Sequence, residues 1–279
     1  MNLFKIIVFC SLSINIFAQT IFTYQPKSNE FKKDYDYDLL KLALEKTKTK
    51  YGDYKLIPAK KMNAKRRLKL LEANHYKNYV VKRSYSSKML EKLDYIPIPI
   101  DRGIVGYRLL FVSPKVKNEI KNVETINELK KYKFTQGIGW LDAKILKANG
   151  LKVHEGTNYQ GLFTMVAGNR IDILPLGAND IFRVKEKHKD KDLHIDKRIA
   201  IFYPLPRFFF LHKSNKNALK RLSEGLKIAY QDGSFVKLWN NYFEKSIKKA
   251  NLKNKKIFIL DNPYLDKIDQ SYKKYMYKP

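Results

Sequence analysis

The chain has 279 residues, of which 44% are hydrophobic and 13% aromatic, and this composition excludes an intrinsically disordered protein. The formal net charge of +29 suggests an anionic partner, but only ten of the 56 basic residues are arginine, and the 46 lysines are spread along the whole chain. Arginine is the side chain suited to bidentate phosphate recognition, so this distribution disfavours specific nucleic-acid binding. It favours a solvated, lysine-rich surface and leaves open a weak general affinity for anionic polymers.

The first eighteen residues have the pattern of an export signal. Lys5 supplies the positive start, residues 6–10 and 12–17 supply the apolar core, and Ala18 ends it. The apolar stretch is shorter than the roughly 20 residues that span a bilayer, although a transmembrane anchor is the alternative. We therefore expect cleavage before Gln19 and a periplasmic or secreted protein.

The mature chain has no cysteine, because Cys10 is the only one and lies inside the signal without a lipoprotein cleavage box before it. Disulfides, thiolate metal sites and cysteine nucleophiles are thereby excluded. The five histidines show no metal-ligand spacing, and no nucleophile elbow, P-loop or dinucleotide glycine pattern is present. We expect a non-catalytic protein without metal or cofactor.

The first third of the chain alternates strand-length apolar runs with amphipathic helical segments. The predicted order is a strand at 20–24, a helix at 37–48, a strand at 54–57, a helix at 61–73 and a strand at 78–81. A short helix at 86–93 is followed by an edge strand or extended crossing at 95–100, which contains Pro97 and Pro99. An apolar strand at 103–112 comes next. This order is typical of an α/β protein with largely parallel sheets.

The pattern restarts in the second block of the chain. The predicted elements are a helix at 125–130, a strand at 133–138, a helix at 140–149, a helical segment at 159–167 and a strand at 171–174. Two apolar strands at 199–203 and 208–211 follow, and then a long helix from Leu219 to Phe243. The tail at 245–279 carries one strand at 257–260, and we expect it to pack on the first lobe.

Five segments carry the most specific pattern. They are G-I-V-G-Y-R-L-L-F-V at 103–112, G-I-G-W-L-D at 137–142, N-R-I-D-I-L-P-L-G at 169–177, Y-P-L-P-R-F-F-F at 203–210 and E-G-L-K-I-A-Y-Q-D-G-S-F at 224–235. Their order and spacing resemble the extracellular solute-binding protein family 3. The resemblance implies the type II periplasmic-binding-protein fold, in which two α/β lobes are joined by two hinge crossings. The implied limits are 1–18 for the signal, 19–110 for lobe 1, 111–203 for lobe 2 and 204–279 for the completion of lobe 1 and the C-terminal tail.

The resemblance also implies where ligand contacts belong, and the chain departs from the family there. Amino-acid-binding members pair the ligand carboxylate with a first-lobe arginine, but Lys88 and Met89 stand at that place. They receive the ligand ammonium on an acid late in the second lobe, where this chain has Leu176 and Gly177, although Asp172 matches the family's strand aspartate. An ordinary free amino acid is therefore a poor default ligand.

One candidate contact is the predicted turn between a strand and a helix at Gly137 and Gly139. The free backbone N–H groups of a helix N-terminus can bind a carboxylate or similar anion, and an ordinary tight turn is the alternative. Trp140, at the start of the helix, either walls the cleft or fills the core. Other candidates come from the ends of strands, where open α/β sheets place their ligands.

Tyr24 ends the first strand, and Arg83 follows the third strand in the equivalent position, as a cleft contact or a solvated side chain. Arg108 lies within the proposed crossing and serves either a structural ion pair or the ligand. Tyr159 shares the apolar face of its helical segment. The candidate set is completed by Tyr107, Gly177 and Asn179.

These observations favour a monomeric, secreted solute-binding protein that closes two lobes on a small polar or anionic solute, for uptake or sensing. A membrane transporter or an envelope sensor would be its partner, with no specific nucleic acid. The alternative is a partner-binding or sensory module of the same fold that has lost amino-acid binding. An enzyme on this fold would need a cluster of acids or histidines in the cleft, and the sequence offers no convincing cluster.

Overall fold

The computed structural model describes residues 19–26 and 34–279. The predicted export signal at 1–18 lies outside the described residues and stays a prediction. In the described part, the chain forms two separate β-sheets with helices packed around them, so the α/β class is confirmed.

The elements follow one another in the alternating order expected from the sequence. The strands are β1 (Thr20–Tyr24), β2 (Tyr54–Pro58), β3 (Tyr79–Ser84), β4 (Leu93–Tyr95), β5 (Tyr107–Val112), β6 (Lys133–Gly137), β7 (Lys152–Gly156), β8 (Ile173–Gly177), β9 (His194–Ile195), β10 (Ile199–Phe202), β11 (Arg207–His212) and β12 (Lys256–Ile259). The helices are α1 (Tyr35–Glu45), α2 (Lys48–Tyr51), α3 (Ala64–Glu72), α4 (Ile126–Leu129), α5 (Leu141–Ala148), α6 (Tyr159–Ala167), α7 (Ile181–Lys187), α8 (Lys216–Gln231) and α9 (Ser234–Ala250). Among them, α2, β7, α7 and β9 were not predicted.

The first sheet has the strand order β2-β1-β3-β11-β4 among the described residues. Strand β1 runs parallel to β2 and β3, whereas β11 runs antiparallel to β3 and β4. Successive side chains of a strand point to opposite faces, so Val80 joins the apolar cluster with α1 and α8, while Val81 joins the cluster with α3. The sheet is therefore covered on both faces.

The second sheet has the order β12-β10-β5-β8-β6-β7, with β9 paired beside β5. Strands β6, β7 and β8 are parallel, and β5 runs antiparallel to β8 and β10. Leu110 and Phe134 face one apolar cluster with α5, and Phe111 and Leu174 face another with Phe163 of α6. The middle of the chain thus builds a sheet of its own, as the two-lobe fold requires.

Two extended connections join the sheets where they were expected. Residues 96–106 lead from β4 to β5, and residues 203–206 lead from β10 back to β11. The prolines of both segments suit extended backbone that makes few ladder hydrogen bonds. The proposed domain limits at 110 and 203 stay a prediction.

The expected packing of the C-terminal tail is wrong for its strand. β12 pairs in parallel with β10, with Lys256 opposite Ile199, and so extends the second sheet. The chain then returns to the first lobe, where Ile268 and Tyr272 join the apolar cluster around Phe208. An isolated apolar run does not reveal which of two sheet edges it will extend, because both offer unpaired backbone groups.

Helix α9 also contacts both lobes. One apolar cluster includes its buried residues together with residues of each sheet. Ser246 Oγ donates a hydrogen bond of 2.7 Å to the carbonyl oxygen of Ala178, and the Lys249 ammonium lies 4.8 Å from the ring centroid of Phe182. The second lobe is therefore joined to the first by the connections at 96–106 and 203–206, by the chain that enters and leaves β12, and by the contacts of α9.

Three predicted elements differ from the observed ones in extent. The long helix divides into α8 and α9 at Gly233, whose φ of 78° lies in the left-handed region that glycine adopts without strain. The predicted strand at 103–112 begins with a short 3₁₀ turn at Ile104–Gly106, and the predicted helix at 86–93 is a 3₁₀ turn at Ser87–Glu91. Element type and order were predicted better than boundaries.

Candidate functional site

Two adjoining cavities lie between the two lobes. The Arg108 cavity has a volume of about 300 Å³ and is lined by Ser84 and Arg207 of the first lobe and by Arg108, Trp140 and Asp142 on the second-lobe side. The Arg83 cavity has a volume of about 450 Å³ and includes Arg83, Lys88 and Arg207 of the first lobe with Lys144 of the second. Ser84, Leu141 and Arg207 line both cavities, which together form one interlobe cleft.

The strand register explains why these side chains meet. Arg83 and Ser84 end β3, and Gly177 ends β8, so both lobes present the carboxyl ends of parallel strands, where α/β folds bind ligands. Because β11 runs antiparallel to β3, Arg207 begins β11 directly opposite Ser84. A residue 123 positions further along the chain is thereby placed at the same end of the first sheet.

Arg108 lies in a buried cluster that satisfies its charge within the protein. Its guanidinium forms an ion pair with Asp142 in the first turn of α5, and the Tyr203 hydroxyl donates a hydrogen bond of 2.6 Å to the same carboxylate. Burial lowers the pKa of Arg108, but Asp142 and Tyr203 outweigh that effect and raise it overall. Burial raises the pKa of Tyr203 well above its ordinary value. Of the two roles open to Arg108, this geometry matches the structural ion pair.

The environment of Arg83 differs from that of Arg108 in its ion pairing. As with Arg108, its Nε is buried without a hydrogen-bond acceptor among the described residues, but its guanidinium forms no ion pair with them. Burial lowers the pKa of Arg83, the positive charge of Arg67 lowers it further, and Glu72 raises it in part. Glu72, which lines the same cavity, therefore offsets the positive charge of Arg83 only in part.

Arg207 is the residue that sequence reasoning missed and that both cavities share. Its Nε lies 3.9 Å from the carboxylate of Asp101, which is buried and accepts a 3.2 Å hydrogen bond from the backbone N–H of Gly103. Burial raises the pKa of Asp101, although Arg207 and Lys82 lower it in part. No local sequence signal marks Arg207, since its position depends on the pairing of β11 with β3.

The predicted turn at Gly137 and Gly139 is present, but a carboxylate of the protein already occupies part of it. The backbone N–H of Gly139 points to Glu155 at 3.3 Å. A Cβ added at Gly137 would lie 2.5 Å from the Trp140 ring, so glycine is needed for that ring to pack there. Trp140 itself walls the Arg108 cavity, and its ring centroid lies 6.1 Å from that of Tyr159.

The other predicted contacts divide between the cleft and other places. Tyr159, Gly177 and Asn179 line the Arg108 cavity. A Cβ added at Gly177 would lie 2.4 Å from Asn179 Oδ1, so the Asn179 side chain occupies the space beside the place of the family's acid. Tyr24 and Tyr107 lie outside both cavities.

Tyr24 is buried beside Tyr37 in a smaller cavity of the first lobe, where burial raises its pKa to about 12. Tyr107 packs against Phe202 at 4.4 Å and near Tyr277 at 6.4 Å between ring centroids. Both tyrosines end or begin strands, but neither side chain turns toward the cleft. The position of a residue along a strand therefore did not determine which cavity it would line.

Two further observations concern metal ions and membranes. Within residues 19–26 and 34–279, no group of three or more histidine, cysteine or acidic side chains is placed to hold a metal ion. In the same part of the chain, no helix has the length and apolarity needed to cross a membrane.

Comparison with known proteins identifies the architecture. No protein-family profile and no curated protein sequence matches the chain. The VFT2 domain of BvgS from Bordetella pertussis is 12% identical, with a TM-score of 0.59 over 80% of this chain and 92% of that one. A periplasmic His/Glu/Gln/Arg/opine family-binding protein from Silicibacter pomeroyi, in complex with lysine, is 10% identical, with a TM-score of 0.58 over 80% and 97%.

The unliganded, open L-cystine solute receptor of Neisseria gonorrhoeae is 17% identical, with a TM-score of 0.51 over 84% of this chain and 96% of that one. These similarities extend over nearly the whole of each solved chain. Identities this low show the fold alone. The type II periplasmic-binding-protein fold that the sequence resemblance implied is therefore confirmed.

Proposed function

We propose that this protein is a secreted or periplasmic solute-binding protein that holds a small polar ligand between its two lobes. It binds and releases the ligand without chemical change, and it passes the solute or its signal to machinery of the cell envelope. The solved structures with this fold include a periplasmic binding protein in complex with lysine and an L-cystine solute receptor, which supports the proposal.

The main support for the proposal is the pair of cavities between the two lobes. Ser84 and Arg207 from the first lobe and Leu141 from the second line two cavities whose volumes, about 300 and 450 Å³, lie in the range of small-molecule sites. A site shared between lobes couples binding to their relative position. A ligand that contacts both sides therefore favours the closed arrangement over the open one.

The connections at 96–106 and 203–206 provide the hinge for this closure. Hinges are a few residues at the ends of elements that absorb the change in backbone angles while each lobe stays rigid. The contact of Ser246 with Ala178 lies outside the cleft and holds the lobes together on the side of α9. Closure is therefore a rotation about this supported side, which moves Trp140 and Leu141 toward Arg207.

The ligand differs from an ordinary α-amino acid in this proposal. Met89 replaces the family's carboxylate-binding arginine, and Gly177 with Asn179 replaces its ammonium-binding acid. Both acids that line the Arg108 cavity are paired with arginine, Asp142 with Arg108 and Asp180 with Arg183 through bonds of 2.7 and 2.9 Å. An incoming ammonium group would have to compete with one of those guanidinium groups.

A thermal-shift screen of the purified exported protein tests the proposal. The compounds are amino acids, short peptides, organic acids, phosphorylated metabolites and sugars. A ligand at a hundred times its Kd stabilises the folded state by about 2.7 kcal/mol, which raises Tm by several degrees in a protein of this size. Ligand-induced closure is then measured as a smaller radius of gyration in X-ray solution scattering.

Two variants make this test specific for the cleft. Tyr159→Ala removes a half-exposed ring from the Arg108 cavity and should weaken binding. Ile259→Ala changes a more exposed apolar side chain on β12, away from both cavities, and should leave binding unchanged. A screen in which no compound shifts Tm and none reduces the radius of gyration contradicts the proposal.

Export is tested separately. The protein recovered from the envelope or culture fraction should begin near Gln19 by N-terminal sequencing. Recovery of the chain in the cytoplasm with its first eighteen residues intact would contradict the secreted role while leaving ligand binding to be judged on its own.

A further inference from the structure

Five of the twelve residues that line the Arg83 cavity carry positive charge, and the apolar side chains of Leu68, Met89 and Leu141 form part of its wall. Lys82, Arg83, Lys88, Lys144 and Arg207 line it together with the hydroxyl groups of Ser84 and Ser86, and Glu72 is the one acidic side chain among the lining residues. Lysine and arginine side chains donate hydrogen bonds and cannot accept them. A ligand that satisfies this surface must therefore supply acceptors and negative charge.

Three of these cations are not neutralised by the protein. Arg83, Lys88 and Lys144 form no ion pair with any described residue, whereas Lys82 is bound by Asp36. The pKa of Arg83 is lowered by burial and by Arg67, and Glu72, which lines the same cavity, raises it only in part. Lys88 and Lys144 are exposed, so water solvates their charges, and the observation that bears on function is their convergence with Arg83 on one cleft.

The excess of lysine in the whole chain does not account for this arrangement. Most lysines among the described residues form no ion pair, so unpaired Lys88 and Lys144 do not by themselves distinguish this cavity, and its arginines do. Arginine is rare in this chain, with ten residues in all, yet Arg83 and Arg207 both line this one cavity. The planar guanidinium group of arginine can donate two parallel hydrogen bonds to a carboxylate or phosphate group, so two arginines at this cavity favour such a ligand.

The cations also come from both sides of the cleft. Arg83 and Lys88 lie at the end of β3 and in the turn after it, whereas Lys144 projects from α5 of the second lobe. Like charges that face one another across a gap repel, which favours the open arrangement in the absence of ligand. An anion between them reverses this effect and draws the lobes together.

From this geometry we infer that the solute is an oxyanion with at least two negative charges, held between Arg83 and Lys88 on one lobe and Lys144 on the other. Phosphoryl compounds and polycarboxylates share this chemistry. The inference rests on the proposed solute-binding function and narrows its ligand class. A zwitterion such as a free amino acid lacks the negative charge to neutralise three cations.

Isothermal titration calorimetry of the exported protein at constant ionic strength tests this inference. The probes are inorganic pyrophosphate for the phosphoryl class, citrate for the polycarboxylates, L-glutamine as a neutral zwitterion and L-arginine as an amino acid with net positive charge. We expect pyrophosphate or citrate to bind at least tenfold more tightly than either amino acid, a difference on the order of one charge-assisted hydrogen bond. Whichever of pyrophosphate and citrate binds more tightly shows whether the ligand is a phosphoryl compound or a polycarboxylate.

Charge variants show whether binding occurs in this cavity. Lys88→Gln and Lys144→Gln each remove one cation from opposite lobes, and each should weaken anion binding about tenfold. Lys152→Gln is the matched control, because Lys152 is exposed at the start of β7, the end of the second sheet opposite to Gly137 and Gly156. It removes the same charge and should leave the affinity unchanged.

The outcomes separate this inference from the function on which it rests. Equal loss of anion affinity in Lys152→Gln and Lys144→Gln would show general charge attraction and overturn the inference. Tight binding of an amino acid or a neutral solute, with weak anion binding, would overturn it and leave the receptor function standing. If no compound binds in this titration or in the thermal-shift screen, both fail.

Discussion

The two cavities of the cleft differ in how their arginines are paired. In the Arg108 cavity, the buried guanidinium of Arg108 forms an ion pair with Asp142, whose carboxylate also accepts a hydrogen bond from the hydroxyl of Tyr203. In the Arg83 cavity, the half-buried Arg83 forms no ion pair with a described residue, and Lys88 and Lys144 add further positive charge. The protein thus supplies a carboxylate partner for one arginine of the cleft and not for the other.

The difference indicates which charges serve the fold and which serve a ligand. A buried ion pair holds its elements in one arrangement, because removal of either partner leaves an uncompensated charge. The Asp142 cluster fixes the start of α5 against β5 and the residue after β10. An unpaired cation at the cleft contributes nothing comparable to stability, so its presence calls for another explanation. Four substitutions test whether the charges of the two cavities contribute to stability or to binding.

Asp142→Ala should have the largest effect on stability. It leaves Arg108, whose side chain is 6% exposed, without its carboxylate in a buried site. Breaking a buried pair in this way costs about 3–5 kcal/mol, measured as the free energy of unfolding in a urea titration.

Asp180→Ala is the control, because it breaks an ion pair with Arg183 that is largely exposed and should cost less than about 1 kcal/mol. Similar costs for the two substitutions would contradict the structural role assigned to the Arg108 cluster.

Tyr203→Phe should have a smaller effect of the same kind. The ring is fully buried and stays in place, while the hydroxyl that donates to Asp142 is lost. A hydrogen bond to a charged group contributes about 1.5–3 kcal/mol, and the same urea titration measures it. The double variant with Asp142→Ala should cost less than the sum, since the hydroxyl has lost its acceptor there. Additive costs would show that Tyr203 acts independently of the cluster.

Asp101→Asn tests a carboxylate intermediate between the two cases, because its nearest cation, Arg207, lies 3.9 Å away. Burial raises the pKa of Asp101, so the folded protein holds this proton more tightly than the unfolded chain does. The stability it contributes is therefore present below the ordinary aspartate pKa and is lost as the pH rises through the raised value. Unfolding from pH 3 to pH 7 should show the variant gaining stability relative to the parent. A difference that stays constant or reverses over this range would contradict the assignment.

The fold was readable from the sequence for a physical reason. Apolar periodicity and turn residues are local signals, and the α/β order that they predicted is present from β1 to α9. The edge that β12 extends was predicted wrongly, because strand partners depend on distant chain segments and not on the run itself. Gly233 divides the last long helix, although its neighbours continue the helical pattern.

The candidate site was readable only in part. Arg83, Trp140 and Asn179 lie at the cleft because they follow strands or begin a helix, which local patterns locate. Arg207 was missed because its place depends on the antiparallel register of β11 against β3. The pairing of Arg108 with Asp142, 34 residues apart, is likewise a tertiary contact, so the sequence left its two roles open.

Arg83→Met should have the smallest effect on stability and the clearest effect on function. Methionine keeps an unbranched, flexible side chain beside Leu68 and Met89 and removes a cation that Arg67 repels. The free energy of unfolding should stay within about 1 kcal/mol of the parent or rise, since replacing a poorly compensated buried charge with an apolar side chain is often neutral or stabilising. Pyrophosphate or citrate binding should weaken in the same variant.

If Arg83→Met keeps its stability and loses anion binding, the charge of Arg83 serves binding and not the fold. Asp142→Ala should do the reverse and lose stability. If Arg83→Met instead unfolds the protein as Asp142→Ala does, the two cavities use arginine in the same way. The contrast between them would then say nothing about the ligand.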